Sequence, residues 1–165
     1  MPVVSGSSGR DVATSLAPLM GMQYIELESR RFPDGEGYVR VPSDAIDAVR
    51  SEPVVLVSNT YPDSGIVNTV LLLEAIAEVR RGNLSNLKGE EPQNMEDVGS
   101  GVYLAIPYYG YSRQDKRFSK GEAVSARVIA DILARGCDGI AILDLHEPAV
   151  LKDMEVPIEF VSSMP

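Results

Sequence analysis

Three short runs of this sequence hold residue types that bind charged ligands. The first is Arg31-Phe32-Pro33-Asp34-Gly35-Glu36. Asp34 and Glu36 are two residues apart, so on extended backbone their carboxylates face the same way. There they can accept hydrogen bonds from an amino group or a ribose hydroxyl, while an exposed Phe32 can stack on a base. Pro-Asp-Gly is equally a common turn sequence, so a plain hairpin is the competing reading. In the second run, residues 107–118, Tyr108, Tyr109 and Tyr111 precede Arg113, Gln114, Lys116 and Arg117. A guanidinium can grip phosphate through two parallel hydrogen bonds and a lysine adds a point charge. A polyphosphate site is one reading of the run; a solvated basic loop paired with the acidic surface, or a subunit contact, is equally open. The third run is Asp144-Leu145-His146, with the one histidine of the chain. A carboxylate and an imidazole two apart can hold a divalent ion or its waters, and Glu155 and Glu159 lie downstream. The other reading has Asp144 capping a following helix and His146 as a hydrogen-bonded structural residue.

The elements that must position these runs are legible from periodicity. Residues 2–5, 23–27, 37–41, 54–58, 102–106, 140–143 and 158–161 read as strands, and those at 54–58, 102–106 and 140–143 have the apolar runs of buried strands. A turn at Gly6-Ser7-Ser8-Gly9 leads into a helix over 10–20 that ends at Gly21. A longer helix starts at Asp63 or Ser64, either of which can cap it, and stops at Gly82. Its apolar stripe is Ile66, Val70, Leu73 and Ala77, with Glu74, Glu78 and Arg81 on the wet face. Another helix spans 121–135, with Ala126, Ile129, Ala130 and Leu133 inside and Gly136 at the position after its end. Residues 83–101 have no apolar period and read as a polar surface loop or insertion. Strands alternating with amphipathic helices give an α/β domain with a mostly parallel sheet flanked by helices. In such sheets ligands collect at the carboxyl ends of the strands, where the second and third runs fall.

The chain has 165 residues, enough for one domain with its own core. Asp and Glu number 24 against 15 Lys and Arg, a net charge of −9, which argues against general nucleic-acid binding but leaves room for a local anion pocket. One cysteine, Cys137, excludes an internal disulfide and suits a reducing cytoplasm. No signal peptide or membrane-spanning run is visible.

In this order and at these elements, the three runs resemble those of the ribose-phosphate pyrophosphokinases. That family has Arg-Phe-x-Asp-Gly-Glu, then Pro-Tyr-x-x-Tyr-x-Arg-Gln-Asp after a strand, then Asp-Leu-His ending a later strand, with a Val-Pro beyond it as at Val156-Pro157. The resemblance implies a phosphoribosyltransferase-like domain over residues 1–165, with 83–101 as extra length. It implies transfer of pyrophosphate from ATP to ribose 5-phosphate, with magnesium required and the nucleotide shared between subunits of a homo-oligomer. Phe32, Asp34 and Glu36 of one subunit would contact the adenosine end, and Arg113 and Gln114 of another the nucleotide and its phosphates. His146 matches a magnesium ligand, with Asp144 beside it. The sequence departs from the pattern at Phe118, where an acidic residue is frequent, and over 148–154. Family members have two such domains, and the second supplies the catalytic loop and the ribose-phosphate loop. Neither run is found here; Glu96-Asp97-Val98-Gly99-Ser100-Gly101 is only slightly similar. The expectation is an amino-terminal half without activity by itself. The alternative is a non-catalytic regulatory partner of a full-length synthetase.

Overall fold

The structure, a computed structural model, describes residues 1–82 and 101–163. The polar stretch expected as an insertion lies almost wholly outside the described residues. Six strands form one parallel sheet: β1 (Val3–Ser5), β2 (Tyr24–Glu26), β5 (Val54–Val57), β6 (Val102–Ile106), β7 (Gly139–Leu143) and β8 (Ile158–Val161). Their spatial order is β2-β1-β5-β6-β7-β8. Two further strands, β3 (Glu28–Arg31) and β4 (Gly37–Arg40), pair antiparallel as a separate hairpin. The helices are α1 (Arg10–Leu19), α2 (Ile46–Ser51), α3 (Asp63–Arg80) and α4 (Ser125–Ala134).

From β1 the chain crosses to β2 on one side, and then resumes with β5 on the other. Right-handed crossovers that run in opposite directions place their helices on opposite faces. Thus α1 closes a small core of Val3, Ala13, Ala17 and Val57. On the other face the helices and the hairpin enclose the main core, which includes Leu27, Leu56, Leu72, Ile76, Leu104, Leu133 and Ile142, each 2 % exposed or less. The 3-10 turn over Ser7–Gly9 brings Gly9 so close to the end of β5 that an added Cβ would lie 2.0 Å from the Val57 carbonyl oxygen. Only glycine fits there, and this contact locks the loop after β1 onto β5.

Several local expectations change. β5 is buried on both faces as its composition suggests. β6 and β7 alternate instead: Leu104, Ile106, Ile140 and Ile142 are buried, while Tyr103 remains 44 % exposed on the opposite face. Apolar residues at every position therefore did not mean two covered faces. The buried face of α3 is Ile66, Thr69, Leu72, Leu73, Ile76 and Val79, so Val70 and Ala77 sit at its margin. Neither Asp63 nor Ser64 caps α3; Pro62 holds the N-cap position with no side-chain hydrogen bond. α4 begins at Ser125, at its apolar pattern and four residues later than the start expected at 121, because residues 118–122 are tied into the preceding loop. Gly136 is not in the left-handed conformation. Its smallness serves packing, since a Cβ there would meet Leu73 at 3.0 Å. β3 and α2 carried no clear period and were not anticipated; β3 is too polar and α2 too short.

Candidate functional site

The run at residues 31–36 forms the tip of the β3–β4 hairpin and not a strand end of the main sheet. Asp34 and Glu36 do not lie on the extended backbone on which their carboxylates would face one way. The backbone turns tightly, with Gly35 at φ +93° and Phe32 N–H bonded to the Glu36 carbonyl at 2.9 Å. Asp34 Oδ1 accepts the Glu36 N–H at 3.1 Å, fixing the turn. Arg31 donates to the Gly35 carbonyl at 2.8 Å. Phe32 is 39 % exposed, set edge-on against Tyr38 with the Arg30 guanidinium over both rings. The hairpin reading of the run therefore holds, and the turn leaves the Phe32 ring and the Glu36 side chain exposed.

Glu36 lines a cleft of about 560 Å³ between the hairpin, the loop after β1 and the start of α3. Its other walls include Ser7, Arg30, Tyr61, Ser64 and Asn68. The cleft opens where strand order reverses between β1 and β5, the place where sheets of this kind form their ligand crevice. Neither Arg113 nor His146 borders it.

The second run follows β6 directly and is built as a rigid loop. Asn59, after β5, donates from Nδ2 to the Ser8 carbonyl at 2.7 Å and accepts the Tyr108 N–H at 2.9 Å. One side chain thereby joins the loops after β1, β5 and β6. Gly110 packs where a Cβ would lie 2.3 Å from the Thr60 carbonyl oxygen, and its N–H donates to Thr60 Oγ1 at 2.8 Å. Buried Tyr109 donates to the Ala126 carbonyl at 2.6 Å, and burial pushes its hydroxyl well above the ordinary phenol range. Tyr111 sits at φ +64° and donates to Asp63 Oδ1 at 2.8 Å; that bond, more than the neighbouring charge, raises its pKa. Asp63 is thus used to hold this loop and not to cap α3. The loop closes on Glu122, whose Oε2 accepts the N–H groups of Phe118 (2.6 Å) and Ser119 (3.0 Å), which lowers its pKa.

On this frame Arg113 stands exposed with no hydrogen bond or ion pair to any described residue. Gln114 spends its side-chain N–H on the Lys116 carbonyl at 3.2 Å and shapes the loop. Lys116 lies over the Phe118 ring, and Arg117 donates to the Glu122 carbonyl, so neither is neutralised by a carboxylate. A free guanidinium beside two uncompensated cations attracts a polyanion.

The third run meets this loop. His146 Nδ1 is 3.2 Å from Asp115 Oδ2. Asp115 was part of the recognised run, but no spacing rule could show that it would pair with a residue 31 positions away. Asp144 has a different task. At φ +48° it turns the chain after β7, and its carboxylate accepts both the hydroxyl and the N–H of Ser163. Those two bonds hold its pKa below the usual carboxylate range. Asp144 thus neither caps a helix nor forms the pair with His146; the fold gives that place to Asp115. Glu147 caps the following 3-10 turn, accepting the Ala149 N–H at 3.2 Å. Glu155 and Glu159 belong to the segment around β8, and no cluster of three or more His, Cys, Asp or Glu converges among the described residues.

The fold and this edge define a class: a doubly wound α/β domain that presents an unpaired arginine and a carboxylate–imidazole pair at the carboxyl ends of β6 and β7. The family model for the N-terminal domain of ribose phosphate pyrophosphokinase matches residues 99–136, which contain the Arg113 loop. Ribose-phosphate pyrophosphokinases of Methanothermobacter thermautotrophicus and Halobacterium salinarum are each 34% identical over 99% of this chain and 50% of their own length. That of Methanopyrus kandleri is 35% identical over 99% of the chain and 49% of its length. The phosphoribosylpyrophosphate synthetase of Mycobacterium smegmatis shares the fold, with a TM-score of 0.72 at 19% identity, over 97% of this chain and 47% of that one. The chain is a relative of the ribose-phosphate pyrophosphokinases and corresponds to their amino-terminal half. It spans about half the length of the curated relatives it matches. No described helix is long and apolar enough to cross a membrane.

Two predictions follow the geometry. Asn59→Ala leaves the Tyr108 N–H and the Ser8 carbonyl without their partner, and costs about 1–2 kcal/mol by urea denaturation. Because Asp144 has a lowered folded pKa, its bonds to Ser163 stabilise the end of β7 above the ordinary aspartate range and are lost as pH falls through the folded value. A carbon-detected titration of the Asp144 carboxyl should give a midpoint below the ordinary value, moving back up in Ser163→Ala.

Proposed function

We propose that the chain acts as the amino-terminal half of a ribose-phosphate diphosphokinase. The reaction transfers the pyrophosphate of ATP to the 1-hydroxyl of ribose 5-phosphate, giving phosphoribosyl pyrophosphate and AMP for nucleotide synthesis. The observation that carries this reading is the unpaired Arg113 in a chain of net charge −9, on the same loop as Asp115, which joins it to His146. A cation left without a partner on so acidic a protein is best explained by an anion that arrives later.

Each residue then has a task. Arg113 draws in and orients the polyphosphate, and the Tyr111–Asp63 bond holds the backbone from which it projects. Asp34 shapes the hairpin tip, so that Phe32 offers an aromatic edge to the base and Glu36 an acceptor to its sugar or amino group. Within one chain Arg113 does not border the cleft beside Glu36. A site completed by the hairpin of a second subunit explains both features, and implies a homo-oligomer.

Magnesium takes oxygen ligands, keeps several waters and is commonly bound through one or two carboxylates together with substrate phosphates. Among the described residues His146 offers the open donor atom of such a partial shell, with Asp115 against its ring, while the Asp144 carboxylate is engaged by Ser163. When bound, the ion would neutralise charge on the phosphates. The second domain of the relatives would supply the ribose-phosphate pocket and the catalytic loop.

Calorimetry with ATP and magnesium tests the reading on the assembled protein. Arg113→Ala should weaken binding at least tenfold, about the worth of one charge-assisted hydrogen bond. Unchanged affinity would remove Arg113 from the site. A polypeptide of these 165 residues by itself should form no phosphoribosyl pyrophosphate from ATP and ribose 5-phosphate; sustained turnover would refute the division of labour between two domains.

A further inference from the structure

The pairing between Asp115 and His146 is unequal. The Asp115 side chain is 9% exposed and that of His146 is 64% exposed, although their polar atoms are 3.2 Å apart. His146 is the carboxylate's one hydrogen-bond partner among the described residues. Both residues sit on fixed backbone. Next to Asp115, Gln114 donates its N–H to the Tyr111 carbonyl at 2.9 Å and accepts from the Ala126 N–H at 3.3 Å. Either side of His146, Asp144 is bonded to Ser163 and Glu147 to Ala149. A carboxylate so held does not follow the ring; the ring must conform to it.

Chemistry then decides where the proton lies. An ionised carboxylate only accepts, so the ring atom facing it must carry hydrogen. In the neutral imidazole that leaves the lone pair on Nε2, which has no partner among the described residues and lies on the exposed side chain. An unconstrained histidine has the opposite preference, with its proton chiefly on Nε2. Metal-binding histidines commonly have their second nitrogen fixed by a carboxylate, which sets both tautomer and ring orientation.

We infer that Asp115 is a positioning residue for His146, holding the imidazole as its Nδ1–H tautomer so that Nε2 presents a lone pair to a divalent cation. The tautomer follows from the pair itself; the identity of the acceptor as a cation rests on the function proposed above. The two parts fail separately.

The single histidine makes the experiment direct, because every imidazole nitrogen signal belongs to His146. Long-range proton–nitrogen correlation spectra of the full chain would be recorded near pH 8.5, where an ordinary imidazole is neutral, without metal or nucleotide. The expected result is a pyrrole-type Nδ1 and a pyridine-type Nε2. Asp115→Ala, checked for an unchanged backbone amide fingerprint, should reverse the assignment. A pyrrole-type Nε2 in the wild-type protein would overturn the inference, and so would a tautomer that persists in Asp115→Ala. Manganese ion added with ATP then probes the acceptor: selective broadening of the His146 ring signals supports a cation at Nε2. Its absence, with the tautomer as expected, would leave the positioning role standing and remove the cation.

Discussion

The side-chain amide of Asn59 holds together the edge on which the ligand chemistry depends. At the carboxyl ends of parallel strands, backbone groups leave the hydrogen-bonding ladder and need other partners. Asn59 answers one such group from the loop after β1 and one from the loop after β6. Gly9 and Gly110 reinforce it by letting backbone approach backbone more closely than any side chain allows. With the three loops joined, the chain from Tyr108 onward starts in a fixed direction. The Tyr109, Tyr111 and Glu122 bonds then carry that order out to Arg113 and Asp115.

Electrostatics gives this edge its character. Five of the nine arginines outside the loop are matched to acids among the described residues: Arg10 with Glu26, Arg30 and Arg40 with Glu28, Arg81 with Glu74 and Glu78, and Arg127 with Asp131. Such exposed pairs contribute little to stability, yet they neutralise charge locally. Arg113, Lys116 and Arg117 have no carboxylate partner among the described residues, and Asp115, which lies between them in sequence, faces His146 instead. That pairing separates one acid from three cations that neighbour it in sequence. The loop thereby keeps a positive face on an acidic domain.

The layered fold was legible because it rests on local patterns. Apolar runs such as 54–57 and the stripe of α4 specify buried elements without knowledge of their partners, and glycines marked the ends of α1 and α3. The polar strand β3 was not legible, because it gains its place by pairing with β4 and by the Ser29–Asn68 hydrogen bond. The candidate site divides in the same way. Motif order identified the three runs, and the fold brings the second and third together. What spacing could not give was the pairing across distant positions: Asp115 with His146, Asp63 with Tyr111, and Asp144 with Ser163. A carboxylate two residues from a histidine looked like its natural partner, yet the left-handed turn at Asp144 directed it elsewhere.

Mapping of amide chemical shifts on the assembled, isotopically labelled protein during addition of ATP and magnesium addresses the central claim most directly. The account predicts that the largest changes fall on Arg113, Gln114, Asp115 and His146, with a second group at the hairpin tip around Phe32 and Glu36. Changes confined to the crevice between β1 and β5, at Ser7, Ser64 and Asn68, with the Arg113 loop silent, would contradict it.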